Sequence, residues 1–174
     1  EYENEVEIID LSESKHDKIK DKYAKTFVEL RKHKGLSFKK ARQLMNYRNY
    51  FGCMMVKQGS ADAFISGYSR SYPEVIKPVL KIIGKEDGVR KVAATNLMIT
   101  SKGPIFLSDT SINIDPKFNE LAHIAKMTAY TAEVFGFSPV IAMLSFSNFG
   151  SAVHDSVEKV SNAVKLLNRC FPDL

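Results

Sequence analysis

Five apolar residues in a row, Val140-Ile141-Ala142-Met143-Leu144, stand between Pro139 and Ser145. A short run of this kind, with no polar residue alternating in it, is the mark of a strand buried on both faces. Such strands belong to parallel sheets with helices covering both sides. Segments of helical periodicity flank the run at 116–135 and 154–167. Pro116 opens the first of them and Gly136 closes it. Helix, buried strand and helix in succession predict an α/β layered domain.

The rest of the chain extends that reading. Residues 6–11 (VEIIDL) and 61–66 (ADAFIS) read as strands. Residues 16–32 and 37–48 read as two amphipathic helices broken at Gly35, with Ser37 as N-cap of the second. Residues 51–56 continue a helix toward Gly59. Residues 71–83 are a helix with Pro73 in its first turn, Gly84 at its end and Pro78 inside, where it should kink the helix. Residues 92–100 and 105–108 read as an antiparallel hairpin about Lys102-Gly103-Pro104. The expected sheet is therefore mostly parallel, with an inserted antiparallel hairpin.

With 174 residues, 44% of them hydrophobic and 26% charged, the chain is long enough for a core and is not a disordered polymer. Two cysteines, Cys53 and Cys170, cannot make a disulfide framework, and both sit among apolar neighbours as reduced core thiols. No apolar run approaches the ~18–20 residues that span a bilayer, and no signal peptide opens the chain. A cytoplasmic location with no membrane partner is expected. The chain opens on Glu1 rather than Met, so an excised piece of a longer protein is expected.

Charge is distributed unevenly. Residues 1–14 hold six acids and no base, whereas residues 15–48 hold twelve Lys and Arg against three acids. A basic stretch can meet nucleic acid, an acidic partner or an anionic ligand. Apolar residues recur through it at helical spacing and no nucleic-acid motif accompanies it, so solvated helix faces are the better reading and nucleic acid is not an expected partner.

In open α/β sheets ligands bind beyond the carboxyl ends of strands. One such end is Ser69-Arg70-Ser71, where a helix N-terminus and a guanidinium could hold an anion; an N-cap loop with an incidental Arg is the competing reading. A second is Ser145-Phe146-Ser147-Asn148-Phe149-Gly150-Ser151, small and polar between a strand and a helix. Ser145, Ser147, Asn148, Gly150 and Ser151 are its candidate phosphate contacts, although no Lys follows Gly150 as a P-loop requires. The third is Asp109, at the exit of the hairpin, as a base, a ligand-orienting group or a turn cap. No metal-ligand cluster and no nucleophile elbow is present. His16, His33, His123 and His154 are scattered.

Taken in series, Tyr50-Phe51-Gly52-Cys53-Met54-Met55-Val56, Gly59-Ser60-Ala61-Asp62-Ala63, Phe106-Leu107-Ser108-Asp109-Thr110 and Leu144 to Ser151 resemble the phosphate acetyltransferase (phosphotransacetylase) family. The resemblance is closest to the phosphotransacetylase-like C-terminal domain of bacterial NADP-dependent malic enzymes. Phosphate acetyltransferases usually carry Ser-Thr-Lys-Gly where this chain reads Ser147-Asn148-Phe149-Gly150, and Asn-Phe there is similar to the malic enzyme fusions. The resemblance implies a two-domain, isocitrate/isopropylmalate dehydrogenase-like fold. Residues 1–48 would belong to an incomplete first domain and residues 49–174 to the middle α/β domain, with the C-terminal part of the family fold absent. It implies acetyl-CoA or CoA as ligand, and no catalytic residue or metal in this stretch. NADP and a divalent metal would sit only in an attached malic enzyme domain. The expected function is a non-catalytic, acetyl-CoA-sensing and oligomerisation module of a malic enzyme, pairing as a homodimer. The alternative is phosphate acetyltransferase itself.

Overall fold

The structure, a computed structural model, describes residues 6–89, 91–148, 151–172 and 174. It divides into two compact units, Glu1–Glu86 and Asp87–Leu174. The boundary expected after residue 48 lies inside the first unit.

Among its described residues the first unit holds four α-helices: α1 (Asp17–Leu30), α2 (Phe38–Leu44), α3 (Arg48–Lys57) and α4 (Tyr72–Ile82). The apolar residues that recur at helical spacing in the basic stretch form its core. Tyr23 and Phe27 of α1 pack with Ala41, Met45, Phe51, Met54 and Ile82. The Tyr23 and Phe51 rings lie 5.2 Å apart between centroids, and those of Phe27 and Tyr50 5.8 Å apart, both tilted. Ser37 caps α2 by accepting from the Lys40 amide. Gly35 joins the two basic helices at φ +65°, a left-handed turn that a side chain would strain. Lys20 is only 3% exposed. Its ammonium donates to the Leu11 carbonyl at 2.6 Å and to Asp17 at 3.3 Å, tethering the segment before α1.

Among its described residues the second unit holds a hairpin and two α-helices. β1 (Thr95–Thr100) and β2 (Gly103–Ser108) pair antiparallel, with Thr95 opposite Ser108 and Thr100 opposite Gly103. α5 (Phe118–Val134) and α6 (Asp155–Cys170) meet through Ala122, Ala125, Ala163 and Leu167. Small side chains at that seam let the two backbones approach. Phe106 of β2 packs its ring against those of Phe135 and Phe137, 5.9 and 6.0 Å away.

The layered parallel sheet is the expectation that needs correction. Among the described residues the sheet is two-stranded, β1 with β2. Residues 6–11, 61–66 and 140–145 are without strand structure. A strand exists only where a neighbour supplies N–H and C=O groups, and these segments have no such neighbour among the described residues. A second correction concerns the thiols: Cys53 is buried, but Cys170 ends α6 exposed.

Candidate functional site

Two cavities of the first unit gather its positive charge. One, of about 580 Å³, is lined by Lys40, Arg48, Arg70 and Lys77, together with Asn49, Tyr50 and residues 9–11. The other, of about 350 Å³, is lined by Arg31, Lys34, Lys40 and Lys81 around Gly35 and Ser37. Lys40 and Leu44 line both, so the cavities adjoin.

The ion pairs among the described residues leave these cations without a carboxylate partner. Arg42 is taken up by Asp17 and Asp21, and Lys20 by Asp17. None of the seven cavity cations forms a salt bridge among the described residues. Among the described residues no carboxylate lines the smaller cavity. Two line the larger one, and both are occupied. Asp10 accepts from the amide and hydroxyl of Ser12, and these bonds hold its carboxyl below the usual range. Glu74 accepts from the hydroxyl and amide of Ser71, with the same effect. Burial raises the pKa of the Tyr50 hydroxyl, while the charges of Lys77 and Lys40 pull it the other way.

The helices hold this arrangement in place. Arg48 opens α3 and donates to Ser69 Oγ at 2.7 Å. Asn49, 6% exposed, donates through Nδ2 to the Glu74 carbonyl at 3.1 Å and accepts from Ser66 Oγ at 2.8 Å. α3, the segment at Ser66 and α4 are thereby fastened together, and Lys77 follows one turn after Glu74 on α4.

The site residues expected from the sequence divide between the units. Arg70 lines the first cavity, and Ser69 adjoins it by accepting from Arg48. Ser71 does not present a free helix N-terminus, because the Glu74 carboxylate already caps it. The other loops are in the second unit. Ser147 Oγ lies 3.3 Å from Ser151 Oγ and accepts from the Ala152 amide, while the Ser147 amide donates to Ser145 Oγ. The Asn148 carbonyl accepts from the Ser151 amide. This loop is organised by its own hydroxyls, and Gly150 and Phe149 lie outside the described residues. Next to it, the His154 imidazole caps α6 by accepting from the Ser156 amide and stacks edge-on to Phe146.

Asp109 behaves as the cap that the sequence offered as one of its readings. Oδ1 accepts from the amides of Ala94, Ser111 and Ile112, and Oδ2 from the amide and side chain of Asn113. Partial burial raises its pKa, but the hydrogen bonds outweigh it and the net shift is downward.

Arg31, Lys34, Lys40, Arg48, Lys77 and Lys81 were absent from the sequence expectation. The signal for Arg31, Lys34, Lys40 and Arg48 is the basic excess of residues 15–48, whereas Lys77 and Lys81 lie outside it, in α4. Composition does not reveal which bases have carboxylate partners, and the excess reads better as solvated helix faces.

The sequence model of phosphate acetyl/butaryl transferase matches residues 1–174. Phosphate acetyltransferase of Thermoanaerobacterium thermosaccharolyticum is 37% identical over 100% of this chain and 57% of its own length. That of Bacillus subtilis is 40% identical over 85% of this chain and 46% of its own. Among solved structures, the EutD phosphotransacetylase from Staphylococcus aureus superposes with a TM-score of 0.78 at 37% identity, over 97% of this chain and 50% of that one. The chain thus spans about half the length of these relatives. These matches overturn the reading of the chain as a malic enzyme sensing module, and they show neither an oxidoreductase nor NADP. One loop at Asn148-Phe149 cannot outweigh similarity to phosphate acetyltransferases along the whole chain.

Proposed function

The chain belongs to the phosphate acetyl/butaryl transferase family, and we propose that it is the coenzyme A-holding part of a phosphate acetyltransferase, exchanging an acetyl group between coenzyme A and inorganic phosphate. The observation that carries this reading is the pair of adjoining cation-lined cavities sharing Lys40. Coenzyme A bears its negative charge in two places, a 3′-phosphate on the ribose and a 5′-diphosphate. Two cavities with a shared lysine match that division. Arginine forks and lysine ammonium groups make charge-assisted bonds to phosphate, each contributing about 1.5–3 kcal/mol.

In the reaction a phosphate oxygen attacks the thioester carbonyl. A C–O bond forms, the C–S bond breaks, and the thiolate leaves to take a proton. The role of the first unit is to anchor the nucleotide end of the cosubstrate, which fixes where its thioester can reach. Ser145, Ser147, Asn148 and Ser151 remain candidate phosphate contacts of the second unit taken by itself. Asp109 serves by shaping the 109–113 loop.

The test compares equilibrium binding of coenzyme A with that of 3′-dephospho-coenzyme A. Loss of one phosphate contact should weaken binding roughly tenfold or more. Lys40→Ala should weaken coenzyme A and narrow the gap between the two ligands. Equal affinity for both ligands, unaffected by Lys40→Ala, overturns the assignment.

A further inference from the structure

Segment 61–71, which is without helix or strand, carries Ser66, Ser69 and Ser71. Ser66 donates to Asn49 Oδ1 and Ser71 to the Glu74 carboxylate, so both hydroxyls are spent on holding the fold. Ser69 is exposed. Its Oγ accepts from Arg48 at 2.7 Å, and among the described residues its own proton goes to no acceptor. We propose that Ser69 is a phosphorylation site, and that its phosphate closes the larger cation-lined cavity to coenzyme A. The closure rests on the coenzyme A reading; the modification itself does not.

Access is the first argument. A protein kinase takes its acceptor from chain that is exposed and not committed to a helix or a ladder. Around Ser69 the segment meets this, with Tyr68 at 107% and Ile65 at 95% exposure. The phosphoryl donor is a nucleoside triphosphate. Ser69 Oγ attacks the γ-phosphorus, an O–P bond forms, and the P–O bond to the bridging oxygen breaks. Nucleoside diphosphate leaves with that electron pair, and the hydroxyl proton passes to the carboxylate base of the kinase.

The partners of the new phosphate are already in place. A phosphoserine carries about −1.5 to −2 charge at pH 7 and three acceptor oxygens. Arg48 touches Ser69 Oγ, and Arg70 is the next residue. Both line the larger cavity, and neither forms a salt bridge among the described residues. Their planar forks match a phosphate dianion. Glu74 also feels the charge of Arg70, but its carboxylate already holds the Ser71 amide and hydroxyl. A phosphate therefore competes for Arg70 with a group that has other partners.

Competition with coenzyme A follows from charge. Four cations and two carboxylates line the larger cavity. A dianion on Ser69 cancels the positive excess and occupies the two guanidinium groups. Being covalently attached, it is present at high effective concentration, so a free ligand must displace it to reach the same donors.

The experiment installs phosphoserine by amber suppression at position 69 of the 174-residue chain. A control chain carries it at Ser101, an exposed residue of the turn between β1 and β2. Coenzyme A binding is titrated against both and against the unmodified chain. Phosphorylation at Ser69 should weaken binding at least tenfold, about the loss of one charge-assisted contact, and phosphorylation at Ser101 should leave it unchanged. Phosphorus NMR should show the phosphate on Ser69 titrating below about 6 in the folded chain and returning to that value in urea, because the guanidinium groups favour the dianion. Mass spectrometry of the protein purified from the cells that make it should place phosphate on Ser69 in part of the molecules. Binding that phosphorylation at Ser69 leaves unchanged overturns the closure while the coenzyme A reading stands. An unmodified chain that does not bind coenzyme A overturns both. A phosphate that titrates alike in the folded chain and in urea, or the absence of phosphate on Ser69 through growth and stationary phase, overturns the site.

Discussion

Asn49 gives Glu74 the hydrogen bond that Pro78 cannot. In α4 the Glu74 carbonyl would accept from the amide of residue 78, which as proline has none. The Asn49 side-chain amide lies 3.1 Å from that oxygen instead. The proline is thus accommodated inside the helix by a buried side chain of the neighbouring helix, and α3 and α4 are fixed to each other beside the larger cation-lined cavity. Asn49→Ala should cost about 1–3 kcal/mol, because it leaves a part-buried carbonyl and the Ser66 hydroxyl short of partners. In a Pro78→Ala background the cost should be smaller, since an alanine at that position restores the helical donor. Urea denaturation of the four proteins of this cycle measures the difference; equal costs in both backgrounds refute the link.

Gly52 is required by close approach. A Cβ there would lie 2.3 Å from the ring of Phe64. Glycine to alanine inside a helix ordinarily gains up to about 1 kcal/mol. Here overpacking should reverse the sign, and Gly52→Ala should lower stability by about 1–3 kcal/mol. Thermal unfolding of Gly52→Ala, alone and with Phe64→Leu, tests this, and the double variant should recover part of the loss.

Most of the helices and the hairpin were legible in the sequence because each rests on local rules: apolar spacing at Tyr23 and Phe27, Ser37 as a cap, Gly103 at the turn between β1 and β2; the break between α2 at Leu44 and α3 at Arg48 was not, because no glycine or proline marks it. The sheet was not legible in the same way. The run at 140–144 has the pattern of a strand, but pattern states only which faces are apolar; pairing depends on a second segment. The site was half legible. Arg70 stood out because it follows a turn and opens a helix. Lys40 and Lys77 did not, because what distinguishes them from Lys20 and Arg42 is the absence of a carboxylate partner, a property of tertiary structure.

The two cysteines should differ in reactivity. Burial pushes the Cys53 thiol up to about 11, whereas Cys170 is exposed at the end of α6. The thiolate is the reactive form, so at about pH 8 one thiol per chain should react rapidly with Ellman's reagent. The second should follow only in denaturant. Two rapidly reacting thiols in the folded chain would contradict the packing of α3 against α1.

Asp109 should make stability depend on pH in a defined direction. Its carboxylate gathers amides from Ala94 and from residues 111–113, holding the start of β1 against the loop that leaves β2. These bonds favour the charged form and outweigh the desolvation that opposes it, so its folded pKa is below the ordinary value. A carboxyl with a depressed folded pKa contributes stability that is present above the unfolded value, about 3.9, and is lost as pH falls through the folded one. Asp109→Asn replaces one acceptor oxygen with an amide that faces the Asn113 donors, so it should destabilise the chain by about 1 kcal/mol at neutral pH. The gap between wild type and variant should be constant from about pH 7 to about 5 and should close as pH falls below about 4, because protonation costs the wild type what the variant has already lost. Urea midpoints for both proteins across roughly pH 3–7 measure this. A gap that widens on acidification would mean that Asp109 is not held in its charged form by the loop.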